Sequence, residues 1–178
     1  MRRNITVMSS DFRTNLIVEI PHLRRFARAL CGDASLADDL VQDCIERALN
    51  KSHLYDRTKP LRAWLYAVLR NIYISNWRRN AKHSGAKNVE DLVDFEGSVA
   101  PEQESNLSIA LIADALDMLP PHQREVLVLI SLEEVSYKDA SEIIGVPLGT
   151  IMSRLSRARA TLQNILEERG TTFLRRVK

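Results

Sequence analysis

Glycine and proline are scarce in this sequence, six of each in 178 residues. Turn signals are therefore few, and runs of β-branched residues are equally rare, which points to an all-α chain. Cysteine is limited to Cys31 and Cys44, each inside an apolar helical pattern. The pair reads as two buried, reduced thiols and gives no support to a redox or metal role. The four histidines, His22, His53, His83 and His122, are scattered without ligand spacing, so neither a metal nor another cofactor is expected. No apolar run is long enough to span a bilayer, and the N-terminus lacks a signal-peptide core. No membrane insertion and a cytoplasmic location follow as expectations.

Charge of one sign is also lacking overall: the net charge is only +2. That figure hides a partition. Residues 1–83 hold 15 Lys/Arg against 8 Asp/Glu, residues 84–118 hold one against 8, and residues 119–178 hold 9 against 7. Basic residues of the last segment concentrate after Pro147. Two basic ends around an acidic middle suggest two polyanion-binding modules and a linker, although solvated faces also vary in charge.

Helical periodicity places the elements. Residues 11–31 put Leu16, Ile20, Leu23, Ala27 and Leu30 on one face, with Pro21 expected to kink or split the helix. Ser35, with Asp38 three residues on, has a capping-box arrangement for a second helix. Its apolar stripe is Leu36, Leu40, Val41, Cys44, Ile45 and Ala48, and its outer face carries Asp38, Asp39, Gln42, Asp43 and Glu46. A polar loop, "NKSHLYDRTK", precedes a third helix over 60–82 that opens at Pro60. Leu61, Trp64, Leu65, Val68, Leu69 and Ile72 form its stripe. Residues 84–104 lose the periodicity and are punctuated by Gly85, Gly97 and Pro101. They read as a flexible acidic linker between two small helical domains, 1–83 and 105–178. The linker's acidity suits it to lie against the basic faces in the free protein.

The second domain ends in a helix-turn-helix pattern. Ser136 with Asp139 caps the first helix, Ala140 is small where helices must cross, and Gly145 supplies the left-handed turn. Ile151, Leu155, Ala158, Leu162 and Ile165 make one apolar face of the final helix. The opposite face offers Thr150, Ser153, Arg154, Ser156 and Arg157, residues able to bond bases or phosphates. In the first domain, "RNIYISNWRRNAK" interleaves Arg70, Arg78, Arg79 and Lys82 with Tyr73 and Trp77. Basic residues track phosphates and aromatics stack on unpaired bases, or the rings pack beneath a basic surface. Two functions are open on these residues: a helix-turn-helix regulator and a nucleic-acid enzyme. The last would need carboxylates gathered from separate elements or a nucleophile with a base, and neither is evident. No catalytic residue is expected.

The blocks "ADDLVQDCIERAL", "LRAWLYAVLRNIYISNWRR" and "LPPHQREVLVLISLEEVSYKDASEIIGVPLGTIMSRLSRARATL" occur in order and cover most of the chain. They resemble regions 2 and 4 of bacterial sigma factors of the extracytoplasmic-function (ECF) group in the sigma-70 family. The resemblance implies a non-enzymatic protein whose partners are core RNA polymerase, through its β′ clamp helices and β flap, promoter DNA and an anti-sigma factor. It implies that Asp39, Gln42 and Asp43 grip the clamp helices. It implies that the loop Ser52–Lys59 captures a flipped-out −10 base, that Asn71 contacts a −10 base, and that Trp77, Arg78 and Arg79 hold the DNA around it. Ser153, Arg154, Ser156 and Arg157 are implied to meet the −35 element. Met152 departs from the pattern, standing where many members carry Lys or Arg.

Overall fold

The computed structural model describes residues 3–84, 112 and 114–176, with side chains described for 11–79, 112 and 114–168. The acidic linker, and with it the expected contact between linker and basic faces, lies outside the described residues apart from the helical residue 84. The described residues are helical throughout, joined by short turns. Helix α1 spans Arg3–Cys31, α2 Ala34–Asn50 and α3 Leu61–Ser84, with a single 3₁₀ turn at Ser52–Leu54. The second half holds a helical turn over 114–117, α4 at Pro121–Leu127, α5 at Tyr137–Ile144 and α6 at Leu148–Arg176.

Two local expectations are corrected. Helix α1 does not split at Pro21. Pro21 sits on the exposed side, and Ile17, whose carbonyl loses its intrahelical partner there, is 65% exposed, so water can replace the missing donor. The cap of α2 is Asp33, one residue ahead of the helix, and not Ser35. Asp33 accepts from the Leu36 amide at 2.8 Å, because Gly32, at φ +68°, has already turned the chain by that point.

The core of the first half comes from Leu23, Phe26 and Ala27 of α1, Ala37, Leu40, Val41, Cys44 and Ala48 of α2, and Leu65, Tyr66, Leu69 and Ile72 of α3. Leu36, expected in the stripe, is half exposed and Ala37 takes its place. Tyr66, absent from the sequence-derived stripe, is fully buried with its ring edge-on to Phe26 at 4.9 Å. Both cysteines are free. Burial pushes the Cys31 thiol up to about 11 and the Cys44 thiol up to about 12, so both stay protonated and unreactive at neutral pH.

In the second half, α4 runs into a π turn over Val128–Leu132. The Glu133 amide bonds back five residues to Val128, and Glu134 follows at φ +53°. The wide turn lets Val126, Leu127, Val128 and Leu129 all be buried. The expected cap of α5 is present: Ser136 accepts from the Asp139 amide at 3.0 Å. Gly145 stands at φ +74°, and the Ser141 hydroxyl clamps the turn by donating to the Val146 carbonyl at 2.6 Å. A Cβ at Gly145 would meet nothing within 4 Å, so only backbone strain opposes a side chain. Gly145→Ala is therefore expected to cost about 1–2 kcal/mol. Denaturant unfolding checks this, and an unchanged midpoint would refute it.

The two halves pack on each other. Helix α4 and the π turn lie against α1, and α5 lies against α3. The seam holds charged groups as well as apolar ones, described below.

Candidate nucleic-acid interface

Helix α2 owes its functional face to its packing. Burial of Ala37, Leu40, Val41, Cys44 and Ala48 turns Asp38, Asp39, Gln42, Asp43 and Glu46 outward, all exposed. Asp38 is paired with Arg24 at 3.1 Å. Asp39, Gln42 and Asp43 have no side-chain partner among the described residues. Such a face is ready to meet cations of a partner.

On α3, Asn71 is exposed, as are Arg78 and Arg79, while Trp77 is half-buried. Arg79 donates to Asn76 at 2.7 Å, and Ser75 donates to the Asn71 backbone carbonyl at 2.7 Å. Tyr73 is drawn into the core, and burial pushes its hydroxyl up to about 12. Of the two aromatics proposed for stacking, Trp77 alone lies outside the core cluster.

The loop before α3 is stiffer than its composition suggests. Asp56 accepts from both the amide and the hydroxyl of Thr58, which holds its carboxyl below the usual carboxylate range. The Tyr55 hydroxyl donates to the Lys59 carbonyl at 2.6 Å. Tyr55, Trp64 and Phe12 form an aromatic cluster, with centroids 5.3 Å apart for Tyr55–Trp64 and 6.0 Å for Phe12–Tyr55. Sequence reading missed this brace, because Phe12, Tyr55 and Trp64 belong to three separate segments.

The helix-turn-helix forms as expected. Ala140, Ile151, Leu155 and Ala158 are buried, and Leu162 and Ile165 pack beside them. Ser156, Arg157 and Arg159 are exposed and Arg154 is half-buried. The Ser153 hydroxyl donates to the Thr150 carbonyl at 3.0 Å. Met152 is 54% exposed beside this row, so the departure from the basic pattern lies on the surface.

Comparison with known proteins bears on what these faces serve. Residues 16–70 match the model of the Sigma2 domain of PhyR, and residues 109–162 match Sigma-70, region 4. The ECF RNA polymerase sigma factor EcfG of Rhodopseudomonas palustris is 36% identical over 165 residues, covering 89% of this chain and 87% of that protein. The chain belongs to the ECF RNA polymerase sigma factors. The ECF sigma factor SigM of Bacillus subtilis is 32% identical over 142 residues, covering 78% of this chain and 85% of that one. The sigma factor RpoE of Bartonella quintana, solved in complex with the anti-sigma factor NepR, superposes with TM-score 0.77 at 37% identity. That likeness covers 88% of this chain and 97% of the other.

In this sigma factor, sequence reading missed the charged groups between the halves. Glu133, after the π turn, has a fully buried side chain. Arg25 grips it through Nε to Oε1 at 2.6 Å and Nη2 to Oε2 at 3.2 Å. The Tyr66 hydroxyl donates to Oε2 at 2.7 Å, and His22 Nδ1 lies 2.6 Å from the same oxygen. Burial alone would push the Glu133 carboxyl up. Bonds from Arg25, Tyr66 and His22 outweigh it and hold the group below its ordinary value. Glu125 of α4 accepts from Arg70 Nε, and burial raises its carboxyl while Arg70 and the nearby Arg154 oppose that rise. Lys59 donates to Glu142 of α5 at 2.9 Å, with both side chains exposed. The cations come from region 2 and the carboxylates from region 4.

Proposed function

We propose that the exposed acidic face of α2 (Asp39, Gln42, Asp43) docks this sigma factor on core RNA polymerase. Asn71, Trp77, Arg78 and Arg79 of α3 then take the −10 element, and Ser153, Arg154, Ser156 and Arg157 of α6 take the −35 element. What carries this reading is the opposition of faces: an unpartnered acidic row on one helix and exposed basic rows on two others. An acidic row repels phosphate and suits a protein; a basic row suits DNA. The loop Ser52–Lys59, braced by its aromatic cluster, offers a preformed rim for an extruded base, which lowers the ordering cost of capture.

The matched segments fall inside the proposed domains 1–83 and 105–178, with 84–104 as the connector. The protein performs no covalent chemistry itself and works in the cytoplasm, where its polymerase and DNA are. Because the Bartonella relative is found with an anti-sigma factor, an anti-sigma partner belongs to the proposal.

Run-off transcription with core polymerase on genomic DNA, with start sites mapped, tests the whole reading. Discrete starts that depend on the factor are expected; none would sink it. Arg157→Ala is expected to weaken −35 binding by about 1–3 kcal/mol if its guanidinium bonds a base in two places. Competition titration against a −35 duplex reads this directly, and full affinity would remove Arg157 from the reading face.

A further inference from the structure

Helix α6 carries an odd member in its outward row. With Ile151, Leu155 and Ala158 buried, the exposed side of its first turns is Gly149, Met152, Ser156, Arg157 and Ala160. All but one of these are small, hydroxylic or cationic. Met152 is long and apolar and is 54% exposed, and Leu148, one turn before it, is 46% exposed. Neither joins the core cluster. Residues four apart are neighbours on a helix surface, so Leu148, Met152 and Ser156 form one continuous row with two apolar members.

Two of the groups proposed to meet the −35 element are partly committed elsewhere. The Ser153 hydroxyl donates to the Thr150 carbonyl at 3.0 Å, so its hydrogen is spent and only its acceptor capacity remains. Arg154 is half-buried, close enough to Glu125 for its charge to oppose the rise of that carboxyl. Ser156 and Arg157 stand exposed, and two polar side chains alone would read few bases. Met152 lies one turn before Ser156, where a further base edge comes within reach.

The base edges in the major groove are polar, with one exception. Thymine presents its 5-methyl group there, and side-chain carbons recognise it by contact. A thioether chain with three rotatable bonds adapts readily to such a small target. The surroundings select DNA over an apolar protein surface as the occupant. Exposed Arg157 and Arg159 flank the row within two turns, and a duplex supplies phosphates for them along with the methyl.

Resting on the assignment of α6 to the −35 element, we propose that Met152, backed by Leu148, reads the 5-methyl group of a thymine in that element. A lysine or arginine at this place would seek guanine or phosphate. Met152 turns the position toward an A·T pair. Its contact is apolar, so the discrimination it gives does not fade with salt as phosphate contacts do.

The test uses holoenzyme assembled from core polymerase and the full-length factor, on a duplex carrying a promoter mapped by run-off. Each thymine of the −35 element, on either strand, is replaced singly by deoxyuridine, which keeps the pairing and removes only the methyl. Competition titration is expected to show one position where thymine is preferred about fourfold, the worth of one buried carbon group. That preference is expected to persist at raised salt. Met152→Ala, and Met152→Gln, which is near in length but polar, are expected to bind thymine and uracil equally there. Because Met152 lies outside the core, both variants keep the fold, which circular dichroism verifies. A parent indifferent to every methyl, an element without an A·T pair, or a preference retained in either variant overturns the inference. Failure of the −35 assignment looks different. Replacing the whole element would then leave holoenzyme affinity unchanged and take the inference with it, whereas failure of the methyl contact alone leaves that loss of affinity intact.

Discussion

Asp43→Arg is expected to abolish capture of the sigma factor by core RNA polymerase while leaving its helical content intact. Asp43 is exposed and unpartnered among the described residues, and its neighbour Cys44 faces the core. The substitution therefore removes no internal contact. It replaces an attraction to a basic partner by a repulsion in the middle of an acidic row. One charge pair at 4 Å is worth about 4 kcal/mol at an effective dielectric of about 20, and juxtaposing like charges in an interface costs several kcal/mol. Loss on that scale reduces binding by orders of magnitude. Gel filtration with core polymerase reads the outcome, with circular dichroism alongside. Continued co-elution would remove α2 from the polymerase interface.

The second large effect concerns the core. Phe26→Ala is expected to destabilise the protein by about 3–5 kcal/mol, against a total that for natural domains is about 5–15 kcal/mol. Phe26 is fully buried and supports the Tyr66 ring at 4.9 Å, and the Tyr66 hydroxyl in turn reaches Glu133 at 2.7 Å. The cavity thus loosens region 2 and also frees the ring that steadies the seam. Chemical denaturation followed by circular dichroism measures the change; a loss below about 1 kcal/mol would mean that the site collapses without penalty.

Much of this arrangement is local, and local features can be read from sequence. The stripe of α2, the Ser136 cap, the Gly145 turn and the apolar row from Ile151 to Ala158 depend on residues a few positions apart, where helical period and capping chemistry act directly. Choosing Ser35 over Asp33 as a cap failed because both side chains serve equally well, and the deciding fact is where Gly32 turns the backbone. Tyr66 escaped the core stripe because its hydroxyl needs a buried acceptor, and that acceptor is 67 positions away. Glu133 and Glu125 escaped for the same reason. A lone glutamate in a helix reads as solvated, and Arg25 is 108 positions from Glu133 and Arg70 is 55 from Glu125. The candidate faces on α2, α3 and α6 were legible as exposed rows, whereas the groups that link them were not.

The brace beneath the Ser52–Lys59 loop has an optical consequence. The protein has two tryptophans. Trp64 packs into that brace, edge-on to Phe12 and tilted against Tyr55, and Trp77 sits half-buried on α3 beside Arg78 and Arg79. Both indoles therefore belong to the region 2 half, and region 4 has none. The unlabelled molecule's indole emission is thus a reporter of the half proposed to hold the melted strand, while the final helix, proposed to read duplex, carries no indole.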